Sequence, residues 1–308
     1  MEFEGRDILS MINLSRKEIE QIFAVAKKME SIPVDRTEKN VLHDKILATL
    51  FFQPSTRTRL SFESAMHRLG GAVIGWASPE VSRAGDAYEE TLMDTALMIE
   101  KYADVVAIRH SQVGVPAKFA ESASIPVINA GDGYGDECEH PTQALLDLYT
   151  ILKERGSIDG LRLLMTGDMN QRTHHSLGYG LAKFDDVQVY LFSPQNLALP
   201  KRVRQNFDNL GLKYKEVDNM DNLIRSVDVI YALGPAKARS QLPTEDRFRI
   251  GLKKLVSAKK SIIVMHPLPR LDEVDTDLDN TSHAKYFVQA LNGVIIRMAL
   301  LALVLGRA

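Results

Sequence analysis

Phe51-Phe52-Gln53-Pro54-Ser55-Thr56-Arg57-Thr58-Arg59 is the stretch from which this chain is read. The apolar run 46–52 stops at a proline. Two hydroxyl side chains, an arginine, a third hydroxyl and a second arginine follow. Leu60, Phe62, Ala65, Met66 and Leu69 then recur at helical spacing, and Gly70-Gly71 closes the pattern. The stretch predicts a buried strand, a tight turn and a helix opening at Ser55 or Thr56. A helix N-terminus presents unpaired N–H groups and the positive end of the dipole. Ser55, Thr56 and Thr58 add hydroxyl donors, and Arg57 adds a planar cationic fork. Such a segment can cradle a phosphate without a glycine-rich loop. The same residues also fit an N-capped helix carrying a solvated arginine pair.

The 308 residues leave room for two domains with a sizeable core. A net charge of −2 gives no reason to expect nucleic acid or an anionic membrane as partner. Cys138 is the only cysteine, which excludes an intramolecular disulfide and fits a reducing compartment. Met1-Glu2-Phe3-Glu4-Gly5-Arg6 does not read as a signal peptide. The longest apolar stretch, 298–305, falls short of the ~20 residues of a membrane span. A cytoplasmic protein is expected.

Ser15-Arg16-Lys17-Glu18 reads as a capping box before a helix reaching Met29. Strands are predicted at 72–76, 104–109 and 126–129, and helices at 91–102 and 118–123. This alternation indicates an α/β domain with a parallel sheet. A helix over 141–152, with proline near its first turn, connects to a second α/β unit. That unit has strands at 161–166, 187–192, 227–233 and 261–265, and helices at 174–184, 200–210 and 220–225. A final helix is predicted over 292–307.

Three further places carry candidate chemistry. Arg109-His110 ends a strand, where ligands of open α/β sheets bind. His140 stands before a helix with Gln143 one turn on, so both side chains can reach one ligand. His266-Pro267-Leu268-Pro269 follows a strand, and its prolines remove backbone donors while leaving carbonyls able to accept. A surface arginine, a capping histidine beside a solvated glutamine, and a rigid loop are the plainer readings. His174-His175 lacks a third ligand at metal spacing. Gly-x-Gly-x-x-Gly is missing from the second unit. No metal or cofactor is expected.

Ser55-Thr56-Arg57-Thr58-Arg59, Arg109-His110, His140-Pro141-Thr142-Gln143 and His266-Pro267-Leu268-Pro269-Arg270 stand in one order along the chain. Together they resemble the aspartate and ornithine carbamoyltransferases, and the His-Pro-Leu-Pro form resembles the aspartate branch. The resemblance covers nearly the whole chain. It implies two α/β domains, each with a mostly parallel sheet flanked by helices, and an active site in the cleft between them. Residues 1–135 plus 292–308 would bind carbamoyl phosphate, and 136–291 the amino acceptor. By the same resemblance Ser55, Thr56, Arg57 and Arg109 hold the phosphate, while Thr58, Arg109 and His140 hold the carbonyl oxygen. Gln143 and the carbonyls of Pro267, Leu268 and Pro269 take the carbamoyl nitrogen, and Arg172 takes the acceptor's α-carboxylate. Arg57, Thr58, Arg109 and His140 are the catalytic set. A homotrimer with shared active sites is implied, with any regulatory chain unspecified.

Three stretches depart from the family pattern. The loop that usually lends a serine and a lysine to a neighbouring subunit has Tyr88 at the lysine position, with Arg83 as its nearest cation. Six residues rather than three separate Gly131-Asp132-Gly133 from His140, adding Asp136, Glu137 and Glu139. After Ile230-Tyr231, Gly234 and Ala236 occupy the positions of an arginine and a glutamine that hold aspartate's second carboxylate. Missing cations and added acids predict an acceptor with a neutral or cationic side chain, such as a diamino acid. An aspartate enzyme using Arg83, Lys237 or Arg239 instead, and a non-catalytic trimer that binds carbamoyl phosphate, are the alternatives.

Overall fold

The computed structural model describes residues 3–31, 40–84, 90–234 and 245–308. The chain opens with α1 (Arg16–Met29), whose Ser15 and Glu18 form the expected capping box. Next come β1 (Ile46–Phe51), α2 (Thr56–Arg68), β2 (Ala72–Trp76), α3 (Leu92–Ile99), β3 (Val105–His110), α4 (Val115–Ala120) and β4 (Val127–Asp132). These strands form a sheet of order β2-β1-β3-β4, parallel throughout.

The long helix α5 (Pro141–Arg155) leads out of this unit and ends on Gly156 in the left-handed conformation. The second unit holds β5 (Arg162–Thr166), α6 (Arg172–Leu181), β6 (Gln188–Phe192), α7 (Lys201–Asn209), β7 (Lys213–Glu216), β8 (Val229–Tyr231), α8 (Leu252–Leu255) and β9 (Ile263–Met265). Its sheet runs β7-β6-β5-β8-β9, again all parallel. The two-unit α/β architecture is therefore as the sequence indicates.

The inner strands are covered on both faces, as parallel sheets require. In β1, Leu47 and Phe51 join one core, and Ala48 and Leu50 another. In β5, Leu163 and Met165 join the first core and Leu164 a third. The closing helix α9 (Tyr286–Val304) packs on α1, α2 and α5. It begins six residues earlier than predicted. Its 19 residues are long and apolar enough to cross a bilayer, but 67% of that apolar window is buried inside the protein, as in a core helix.

Several predicted elements are corrected. Residues 220–225 form turns, not a helix. Met220 and Ile224 are nevertheless buried, as the apolar spacing indicates. The helix predicted at 118–123 lies at Val115–Ala120, started by Pro116 in its first turn. The edge strand β7, Lys-Tyr-Lys-Glu, carries no apolar alternation and was not predicted.

Candidate active site

β1 ends at Phe51, directly opposite Arg109 on β3. The Phe52 N–H donates to the Arg109 carbonyl at 2.9 Å, which sets the turn to α2 beside that arginine. Ser55 is the N-cap of α2, yet its hydroxyl makes no capping hydrogen bond. The first-turn N–H groups and the Ser55, Thr56 and Arg57 side chains thus stand together at a helix N-terminus. Arg57 has no ion-pair partner among the described residues. Thr58, one residue further, is buried.

The pairing of β3 with β4 slips between Ile108–Asn129 and His110–Asp132, so β4 carries one extra residue there. Such bulges re-aim side chains. Gly131 lies in this irregularity with φ +108°. A Cβ on it would lie 2.8 Å from Arg109 Nη1, 3.1 Å from His140 Cδ2 and 3.2 Å from Arg172 Nε. Three candidate side chains from three elements therefore converge on one glycine.

His140 caps the N-terminus of α5. Its backbone N–H donates to Ser176 Oγ at 2.8 Å, tying the two units together. Nε2 stands 3.5 Å from the Thr58 hydroxyl, and Nδ1 is buried with no partner among the described residues. Burial, reinforced by Arg109, Arg172 and Arg297, holds the imidazole pKa well below its usual value. The ring is neutral at pH 7 and can donate one N–H to an oxygen. Arg109 is pushed well down as well, by burial and by Arg172, Arg57 and Arg297. An anion entering this crowd of guanidinium groups relieves their repulsion.

Arg172 is the first residue of α6 rather than preceding the helix. Nη1 donates to the Gly133 carbonyl at 3.1 Å, and Nη2 to Gln53 Oε1 at 2.7 Å. Gln143 donates Nε2 to Asp147 at 2.9 Å. In the His266–Pro269 turn, His266 Nδ1 accepts the Leu268 N–H at 2.8 Å. That contact leaves the proton on Nε2, which meets Glu273 Oε1 at 2.7 Å. Leu268 is held at φ +58°.

The three added acids do not form an acidic wall at the site. Glu137 pairs with Arg202 at 2.8 Å, and Asp136 accepts the Arg202 N–H at 3.3 Å. Glu139 is buried and accepts from Ser10, Met11 N–H and Ser176. Their repulsion of a second substrate carboxylate, expected from sequence, is not supported by these contacts. The added loop instead brings the Tyr134 hydroxyl to Asp168 at 3.0 Å, beside α6. Arg83 is exposed. Tyr88, Ala236, Lys237 and Arg239 lie outside the described residues. Sequence reading missed Gln53, Gly131, Asp147 and Tyr134. Asp147 alone had a local signal, standing one helical turn from Gln143.

The fold and this cluster of guanidinium groups define a two-unit α/β protein with a site suited to an anionic ligand. Residues 6–153 match the carbamoyl-P binding domain of aspartate/ornithine carbamoyltransferase, and 159–304 its Asp/Orn binding domain. The chain belongs to the aspartate/ornithine carbamoyltransferase family and is a carbamoyltransferase. It is 45% identical to the aspartate carbamoyltransferase catalytic subunit of Thermococcus kodakarensis, with 99% of each chain covered. Aspartate transcarbamoylase from Trypanosoma cruzi, solved with carbamoyl phosphate and aspartate, superposes with a TM-score of 0.89 at 35% identity, covering 99% of this chain and 96% of that one. The catalytic subunit from M. jannaschii superposes at 0.86 with 41% identity and 96% coverage of each.

Proposed function

We propose that this chain transfers the carbamoyl group of carbamoyl phosphate to an amino acid whose side chain lacks a second carboxylate, a diamino acid being one candidate. Ser55, Thr56, Arg57 and Arg109 hold the phosphate. Thr58, Arg109 and the neutral His140 hold the carbonyl oxygen. Gln143 and the Pro267–Pro269 carbonyls take the carbamoyl NH2, and Arg172 takes the acceptor's α-carboxylate. The uncharged amine attacks the carbamoyl carbon, the new N–C bond forms, and the C–O bond to phosphate breaks with its electron pair leaving on phosphate. The amine's surplus proton passes to the released phosphate or to water. Positioning and stabilisation of the oxyanion supply the catalysis.

Gly234 carries the acceptor half of this reading. Where the family resemblance expects an arginine, a Cβ would stand 2.9 Å from Glu273 Oε2. Residue 234 itself supplies no cation, and a carboxylate is close. A second substrate carboxylate at this point would lose its partner and meet repulsion.

Full-length identity to aspartate carbamoyltransferase catalytic subunits favours a second reading, with aspartate as acceptor and Lys237 or Arg239 as substitute cations. Phosphate release measured over aspartate, ornithine, 2,3-diaminopropionate and simple diamines separates the two, with Arg57→Ala as control. Turnover with aspartate alone overturns the altered-acceptor reading. Carbamoyl phosphate binding without turnover on any amine points to a non-catalytic binder.

The domain division at 135/136 and 291/292, a cytoplasmic location and a homotrimer belong to the same proposal. Exposed Met93, Leu97, Met98 and Tyr102, on and just after α3, offer an apolar face to a neighbouring copy. Light scattering on the purified protein tests the trimer.

A further inference from the structure

Asp147 is fully buried on α5, and three donors from three elements end on its carboxylate. Gln143 Nε2 from α5 and Gln289 Nε2 from α9 reach Oδ1 at 2.9 and 2.6 Å. The Tyr231 hydroxyl, at the end of β8, reaches Oδ2 at 2.8 Å. When ionised, the carboxylate only accepts, and in that form it selects the NH2 face of each glutamine, the face both present to it here. The carbonyl face of each is then turned elsewhere. For Gln289 the destination is visible: its Oε1 accepts the His266 N–H at 2.9 Å, where the His266–Pro269 turn begins. For Gln143 it is the NH2 group that Asp147 holds, which leaves the carbonyl oxygen available to another donor.

We propose that Asp147 is the positioning residue for the donor's amide. Through Gln143 and Gln289 it aims two sets of carbonyl acceptors, the glutamine's and the turn's, at one NH2 group. It thereby makes the site select an amide-bearing phosphate over phosphates of the same shape that lack N–H donors. This rests on the assignment of Gln143 and the Pro267–Pro269 carbonyls to the carbamoyl nitrogen.

The placement is costly for a group that only packs. Burial raises the Asp147 carboxyl to about 7, against the pull of its three donors and of Arg297. Arg297 itself spends Nη2 on Thr142 at 3.2 Å, with its guanidinium over the Phe62 ring. An apolar side chain of similar volume would avoid that desolvation. It would also leave both amides free to turn, and a site whose acceptors can flip cannot discriminate strongly against a missing donor.

The test uses two stable phosphonates and the full-length protein. Phosphonoacetamide carries the amide; acetonylphosphonate replaces its NH2 by a methyl group. Calorimetric Kd values are measured for both and for inorganic phosphate, in the wild type, Asp147→Asn and Tyr231→Phe. Wild type should prefer the amide at least tenfold. Asp147→Asn should reduce that preference to about twofold or less while phosphate binding moves less than twofold. Tyr231→Phe, which removes one donor at nearly constant volume, should move the ratio part of the way and covers the case in which Asp147→Asn does not fold. A parallel loss of all three ligands, or an unchanged amide preference in both variants, overturns the proposal. A wild type with no amide preference overturns the nitrogen-site assignment beneath it.

Discussion

Arg172 Nη2 and Gln53 Oε1 meet at 2.7 Å, joining the first residue of α6 to the turn that follows β1. The contact crosses from one sheet unit to the other. With Gly133 on Nη1, it fixes the plane of the guanidinium and leaves other N–H groups for the acceptor carboxylate proposed above.

Gln53→Ala should therefore act on the acceptor more than on the donor. A hydrogen bond to a charged group contributes about 1.5–3 kcal/mol. We expect the acceptor KM to rise roughly tenfold, with carbamoyl phosphate KM nearly unchanged. Equal rises in both, in steady-state phosphate release, would assign Gln53 to the phosphate turn.

Gly131→Ala should cut turnover sharply while leaving a folded protein. The added Cβ would meet Arg109 Nη1 at 2.8 Å and His140 at 3.1 Å, at a φ of +108°. Backbone strain of about 1–3 kcal/mol lowers Tm by roughly 5 °C. Activity should fall on the order of 100-fold, because a displacement of about an ångström misaligns three side chains together. Calorimetry and phosphate release on one preparation check both halves.

Gly234→Arg places a cation beside Glu273 and where a second substrate carboxylate would lie. Relative kcat/KM for aspartate against 2,3-diaminopropionate should shift toward aspartate about tenfold or more. An unchanged ratio would show that position 234 does not read the acceptor's side chain.

Stability should fall as pH rises from about 5 to 8. Burial raises Glu139 from 4.5 to about 7, although Ser10, Met11 and Ser176 pull it down. The folded state thus holds this proton more tightly than the unfolded chain. Its contribution is fully present below the unfolded value and is lost as pH passes the folded one. For Glu139 alone the difference is roughly 3 kcal/mol. Urea melts of the wild type should show the decline, and Glu139→Gln should flatten part of it. Asp147, raised in the same sense, accounts for a further part. A pH-independent urea midpoint would contradict both assignments.

Local rules reached the residues that open α2 and α5 and stopped at the contacts that support them. The strand, turn and helix around Ser55 were legible because apolar periodicity and proline act within a few residues. His140 and Gln143 were legible for the same reason, as neighbours on one helix face. Gln53 on Arg172, Gln289 on His266 and Tyr231 on Asp147 lie far apart in the chain, so no spacing rule links them. The slipped register at Gly131 depends on how two separate strands meet. The acids Asp136, Glu137 and Glu139 misled for a related reason: composition gives charge, and partners such as Arg202 and Ser176 decide what that charge does.

Helix α9 fills the core shared by α1, α2 and α5, and the Gly5 N–H reaches the Val304 carbonyl at 2.9 Å. Residues 286–304 leave the ribosome after both sheets have been made. The unit containing the turn at residues 53–55 thus lacks this packing surface until α9 has been made. Nascent chains halted before about residue 286 lack α9 and leave the faces of α1 and α2 that it covers exposed, the kind of apolar surface that invites aggregation.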